Sequence, residues 1–233
     1  MKPKTYLIKK IDTILQIGKK SKGGRNFLGR ICIYNRSMLH KRKYRFIDFF
    51  RRLNLWGYIL YKIYDSNRSA FLGCIVYTNG LLSYFIVGHA TPSNIFVFSG
   101  SKLLNIAKIP LSSTNTLKNI PLFTLISMVE LKPFTGSQLC RAAGTKCLFI
   151  GKKNKAAIVK LASKWQVKVP LNSMAMFGQV SNILHKFQSV GKAGKQRALG
   201  FRPKVRGVAK NPCDHPHGGG NGKKSHPKVP VTM

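Results

Sequence analysis

Short apolar runs broken by turn residues fill the middle of the chain and predict strands rather than helices. Phe71-Leu72-Gly73-Cys74-Ile75-Val76-Tyr77 is followed by Thr78-Asn79-Gly80 and then by Leu81 to Val87. Asn-Gly between two such runs is a strong hairpin signal, because both residues tolerate the left-handed backbone of a tight turn. Further strands are expected over Ile95 to Phe98, Leu103 to Ile109, Ile120 to Val129, Lys146 to Ile150, Ala156 to Leu161 and Gln166 to Val169. Turn clusters at Thr91 to Asn94, Ser112 to Asn115, Lys132-Pro133 and Gly151 to Asn154 separate them. Many short, evenly punctuated strands imply small barrels, and the pattern divides near Pro121. Helical pattern is scarce: only Asn172 to Val180, with Asn172 or Ser173 as N-cap, predicts a short helix. From Gly191 onward Gly and Pro recur too often for a packed core, so an irregular tail that orders against a partner is expected. No apolar run reaches the roughly 20 residues of a membrane helix.

Charge changes this picture from a barrel protein to a partner-bound one. The 233 residues hold 41 Lys plus Arg against 5 Asp plus Glu, a formal net charge of +36. The acids are Asp12, Asp48, Asp65, Glu130 and Asp214. Self-repulsion on this scale opposes a compact state unless a partner supplies anions. A polyphosphate fits best, because neutralising phosphates releases counterions; an anionic membrane surface is the other class. The bases are uneven: 18 lie in residues 1–68, 6 in 69–151, 6 in 152–185 and 11 in 186–233. That layout implies a globular anchor carrying basic arms. A hydrophobic fraction of 44% excludes pure disorder. The five cysteines, Cys32, Cys74, Cys140, Cys147 and Cys213, are odd in number and lack a C-x-x-C pair. This argues against a disulfide framework and a four-Cys zinc site, and for a reducing compartment. No signal-peptide pattern opens the chain, and its Lys-rich, Arg-free first 24 residues match an organelle presequence poorly. Heavy use of Lys, Asn, Ile, Phe, Leu and Tyr fits an AT-rich genome, organelle genomes included.

Three stretches carry candidate chemistry. Lys19-Lys20-Ser21-Lys22-Gly23-Gly24-Arg25-Asn26 combines bases with paired glycines, which let a backbone approach a phosphate; a solvated linker is the bland alternative. His40 to Arg45 with Arg51-Arg52 forms a second basic cluster, interleaved with Tyr44, Phe46, Phe49, Phe50 and Trp56. Rings beside bases suit unstacked RNA, although Phe46, Phe49 and Phe50 read better as core. The third stretch runs from Arg202 through Lys204, Arg206 and Pro212-Cys213-Asp214-His215-Pro216-His217 to Gly218-Gly219-Gly220. Its glycines suit a backbone threading tightly between RNA helices, and His215 and His217 can donate to phosphates or stack. Zinc binding by Cys213, His215, His217 and His226 competes, but C-x-H-x-H is not a usual structural spacing. A hydrolytic triad through Asp214 and His215 lacks any nucleophile setting. His40, His89 and His185 stand alone and read as surface or structural residues.

The segment from Gly191-Lys192-Ala193-Gly194 to Gly220 resembles the signature of the universal large-subunit ribosomal protein two family. Lys22 to Asn26 with Gly29-Arg30, Tyr44 to Phe49, Tyr64 to Ala70, Asn119 to Pro121, Glu130 to Pro133 and Gln138 to Thr145 match it in the same order. The resemblance spans about Lys20 to Gly222. It implies a mainly β fold, an OB-like barrel followed by an SH3-like barrel, with extended basic N- and C-terminal arms. The expected boundaries are 1–42 for the first arm, 43–121 and 122–190 for the barrels, and 191–233 for the tail. The implied partners are large-subunit rRNA, other large-subunit ribosomal proteins, and the small subunit across the subunit interface, with no membrane, metal or cofactor. The implied role is structural: subunit assembly and association, with the tail near the peptidyl-transferase region and no catalysis. The family's RNA-contacting arginines fall on Arg68 and Arg141, and its functionally important tail histidine falls on His215. Arg25, Lys192, Lys195, Arg202, Lys204, Arg206, His217, Gly218, Gly219 and Gly220 complete the expected rRNA-binding set. Departures are a short region before Gly23, Asn221 in place of an acid, divergent residues 91–118 and an end at Met233 without a long basic extension. They favour a mitochondrial member over a plastid or bacterial one. Outside this family, two alternative classes remain: a general nucleic-acid-coating protein, and a metal-dependent enzyme using Cys213, His215 and His217.

Overall fold

Pairing in the described residues is almost wholly antiparallel. The computed structural model describes residues 13–37, 40–102 and 109–220. Its first strands are β1 (Gln16–Lys19), β2 (Arg42–Arg45), β3 (Leu55–Ile63), β4 (Leu72–Tyr77), β5 (Leu82–Ile86) and β6 (Phe96–Ser99). They are followed by β7 (Thr114–Thr116), β8 (Leu125–Ser127), β9 (Val129–Glu130) and β10 (Ser137–Leu139). The last are β11 (Cys147–Lys153), β12 (Ala156–Lys160), β13 (Gln166–Pro170) and β14 (Met174–Phe177). Ten of them join in the order β13-β12-β11-β8-β14-β7-β6-β3-β4-β5, while β1-β2 and β9-β10 form two-stranded sheets. The architecture is mainly β and agrees with an OB-like barrel followed by an SH3-like barrel.

The chain divides into two compact units. Unit 1 is Met1–Lys19 with Arg42–Ser189; unit 2 is Lys20–Lys41 with Val190–Met233. Within unit 1, alternation along the strands builds two cores. Ile59, Ile75, Tyr77, Phe85, Val87 and Val97 fill the first. Leu117, Ile126, Val129, Phe149, Val159, Val169 and neighbours fill the second. A third cluster, Ala70, Leu72, Ile86, Met128, Met176 and Val180, draws from both halves, so burial is continuous across unit 1.

The Asn-Gly hairpin is present. The Tyr77 amide donates to the Leu81 carbonyl at 2.9 Å, and Gly80 closes the turn at φ 82°. Other expectations need correction. Asn172 to Val180 holds strand β14, because β7 and β8 pair with it on either side and bury Met174, Ala175 and Met176. Ser112 to Asn115 is no free turn; it leads into β7. The single strand expected over Ile120 to Val129 is split into β8 and β9 by Met128 at φ 51°. β11 continues through the turn expected at Gly151, with a bulge there. Most of the strand expected over Leu103 to Ile109 lies outside the described residues. Phe46 and Phe50 are not core but about half exposed, while Phe49 packs on the third cluster. Cys140 and Cys147 form a disulfide, against the all-thiol expectation. The loop between β10 and β11 folds back, with the Thr145 amide donating to the Ala142 carbonyl, and this brings their Cα atoms to 6.7 Å.

Candidate nucleic-acid interface

Both arginines singled out in the barrels face one open pocket of unit 1. It is lined by Tyr44, Phe49, Arg68, Ser69, Gln138, Arg141 and Ala142. Tyr44 comes from β2, Arg68 and Ser69 from the loop before β4, Gln138 from β10, and Arg141 from the loop that follows it. The Arg141 guanidinium carbon lies 5.4 Å from the centre of the Phe49 ring, and that of Arg68 lies 6.0 Å from it. A ring flanked by two guanidinium groups gives cationic planes over an apolar floor. Tyr44 is 38% exposed and meets Phe46 edge to face at 5.8 Å. These rings are two residues apart, so they share one side of an extended chain.

A buried carboxylate fixes the arginines. Asp65 is 0% exposed and accepts from Arg68 Nε at 2.6 Å and from Arg45 Nη1 at 3.4 Å. The Asn67 amide also donates to it. Arg68 is thereby oriented through Nε. Arg141 Nη1 donates to the Ser137 carbonyl at 3.4 Å. The Ala143 amide donates to Ser69 Oγ, which ties the Arg141 loop to the Arg68 loop.

Two bases of the second cluster turn inward instead of toward a partner. Arg51 is 5% exposed, donates to Ser99 Oγ and the Ser112 carbonyl, and lies 4.5 Å from the Phe85 ring centre. Arg52 donates to buried Glu130 at 2.6 Å and covers the Phe134 ring. Glu130 also accepts from the amides of Gly136 and Met174. Asp65 and Glu130 therefore serve as internal struts. Arg45 and Arg68 pair with Asp65 and Arg52 pairs with Glu130; with 5 acids against 41 bases in the whole sequence, most of the positive charge has no acid to compensate it.

Unit 2 contains the other predicted residues. Arg25, Lys192, Lys195, Arg202, Lys204 and Arg206 are exposed. Lys192 is the N-cap of the short helix α1 (Ala193–Ala198), and Lys195 lies in its last turn. From Leu199 to Gly220 the chain is mostly irregular, apart from a 3-10 turn at Gly207–Ala209. His215 and His217 stack edge to face, with ring centres 4.8 Å apart. The His217 amide donates to His215 Nδ1 at 3.0 Å, so the neutral His215 ring carries its proton on Nε2. Withdrawal of water by the surrounding chain, with repulsion from His217 and Lys210, lowers the His215 pKa from its ordinary value. A Cβ on Gly207 would overlap the His215 ring, and one on Gly218 would overlap the Asn211 carbonyl. These glycines already have an internal reason, the close approach of the tail to itself. Gly219 and Gly220 have φ 86° and 95°.

Ser69 and Gln138 lie in the same sequence motifs as Arg68 and Arg141, but only the fold shows that the two motifs meet at one pocket. Among the described residues no group of three metal-ligating side chains comes together, and His226 lies outside them. His215 Nδ1 accepts from the His217 amide, so that ring nitrogen is not available to Asp214.

An acid-poor β protein that presents paired arginines beside exposed rings fits the class of RNA-binding proteins. The family model described as Ribosomal Proteins L2, RNA binding N-terminal domain, matches residues 12–93. The one described as Ribosomal Proteins L2, C-terminal domain, matches residues 111–233. The large ribosomal subunit protein uL2 of Orientia tsutsugamushi (strain Ikeda) is 45% identical over 213 residues, covering 90% of this chain and 76% of that protein. The chain belongs to the ribosomal protein L2 family, and its role is a structural, RNA-binding one.

Proposed function

We propose that this chain is a structural constituent of the large ribosomal subunit that binds large-subunit rRNA. The observation that carries this reading is the convergence of Arg68 and Arg141 on Phe49, with Asp65 fixing Arg68. The pocket takes rRNA by charge neutralisation and stacking, and base reading is minor. Residues 43–121 act as the OB-like RNA-binding barrel and 122–190 as the SH3-like barrel. Arg25, Lys192, Lys195, Arg202, Lys204, Arg206, His215, His217, Gly218, Gly219 and Gly220 form a second rRNA-facing set, with the tail near the peptidyl-transferase region. Other large-subunit proteins and the small subunit are further partners, through assembly and subunit association. The protein performs no catalysis; peptide-bond chemistry belongs to the RNA.

Residue usage suited to an AT-rich genome supports residence in a mitochondrial large subunit. Recovery with mitochondrial large subunits after fractionation is the expected outcome, and recovery with bacterial ones would correct the compartment.

The test of the pocket is direct. Arg68→Ala and Arg141→Ala each weaken binding to a large-subunit rRNA transcript by about 1–3 kcal/mol. Unchanged binding in the double variant would overturn the assigned roles. Duplex DNA at matched salt is the control, and equal affinity for it would favour a general nucleic-acid coat.

A further inference from the structure

We infer that the outer face of the β12–β13 hairpin is a second, sequence-independent RNA-backbone site, separate from the arginine pocket. The inference rests on the rRNA-binding reading but adds a surface which that reading does not contain.

Register and burial define the face. Along β12, Ala157 and Val159 point into the core, while Ala156, Ile158 and Lys160 point out. Along β13, Val169 points in, while Gln166, Lys168 and Pro170 point out. Ala156 pairs with Pro170 and Ile158 with Lys168. On the other side Lys153 pairs with Ala156 and Gly151 with Ile158. An open groove follows, lined by Lys153, Lys155, Ala156, Ile158, Lys168 and Pro170. It adjoins a second depression that shares Asn154, Lys155 and Pro170 and adds Lys118. Lys152 Nζ donates to the Lys118 carbonyl at 2.7 Å, which ties the turn to that rim.

Charge identifies the occupant. No acidic residue occurs between Glu130 and Asp214. The lysines at the groove form no ion pair with an acid among the described residues. An apolar floor with ammonium groups at its edges matches the alternation of ribose and phosphate along an RNA strand. The cations are all lysines, flexible point charges without the planar fork that reads a base. Phosphate tracking without sequence preference follows. The edge also disfavours the competing occupant, an added protein strand. β13 ends the ten-stranded sheet, and Lys168 and Pro170 are the residue types that blunt strand addition.

The experiment uses the full chain and measures affinity for a large-subunit rRNA transcript across salt concentrations from about 50 to 200 mM. The variant is Lys153→Gln/Lys155→Gln/Lys168→Gln; all three side chains are exposed, so the core is untouched. The slope of log affinity against log salt falls in magnitude by about 2–3, close to one unit for each phosphate no longer neutralised. The reduction is the same on a transcript of scrambled sequence. An unchanged slope, while the unaltered chain binds, overturns the second site and leaves the arginine pocket intact. Retained RNA affinity with failed incorporation into subunits means a protein partner and also overturns it. An unaltered chain that does not bind RNA overturns both readings.

Discussion

Asp65 shows how much one buried acid can organise. Its carboxylate holds Arg68 at 2.6 Å and Arg45 at 3.4 Å, with no exposure of its own. Removing one partner of a buried pair strands the others, at a cost of about 3–5 kcal/mol. Asp65→Ala should therefore lower unfolding stability by about that amount in denaturant titration. It should also weaken RNA binding in the direction of Arg68→Ala. A variant with unaltered stability would show that Asp65 is not a strut. His215 makes a pH-dependent case. Its pKa is lowered, chiefly by loss of water around the ring, so the neutral ring is the favoured form in the folded unit. Its contribution is present above the ordinary histidine value and is lost as pH falls through the lower folded value. Protonation would also turn Nδ1 from an acceptor into a donor facing the His217 amide. Nuclear magnetic resonance titration should give a His215 midpoint below that of an exposed histidine; a midpoint above it would refute this. Arg68, Arg141 and His215 are legible in the sequence because each lies in a local motif. The inward turn of Arg51 and Arg52 is not, because Ser99, Ser112 and Glu130 are distant in sequence.

Strands are readable where turns announce them. The β4–β5 hairpin carries its Asn-Gly signal, and β12 and β13 alternate cleanly between core and surface. β3 gives no such signal. It is apolar on both faces and pairs with β4 and β6, so its period is blurred. β14 resembles a helix in sequence because nine residues show little period, and only tertiary pairing decides between the two forms. Met176 tests that pairing. It is 1% exposed and sits opposite Thr114 and Ser127 on its two flanks. Met176→Ala should cost about 2–5 kcal/mol by thermal or chemical unfolding; a change within error would argue against a buried strand. The Cys140–Cys147 disulfide is hidden by an odd cysteine count, since spacing alone says nothing about a chain that folds back between strands.

Charge organises the whole molecule. Few acids sit against many bases, and two of those acids are spent on internal arginines. The division into an anchor with two basic arms is legible from composition. What composition does not reveal is that Lys20–Lys41 and Val190–Met233 group as one compact unit. The Arg36 guanidinium carbon lies 4.1 Å from the Phe201 ring centre, and the Arg202 amide donates to the Asn35 carbonyl. Such pairings join segments far apart in sequence. Deleting residues 191–233 should leave the unit 1 cores folded, because those clusters and the side chains packed on them lie within residues 47–180. Subunits carrying the truncated chain should assemble poorly or be inactive; fully active ones would contradict the role given to the tail.

The most direct test is sedimentation of the intact chain at low ionic strength, with and without large-subunit rRNA. If rRNA supplies the missing counter-charge, the chain moves stoichiometrically with the RNA and is released as salt rises. A compact monomer that stays at the top of the gradient, indifferent to the polyanion, would contradict that role.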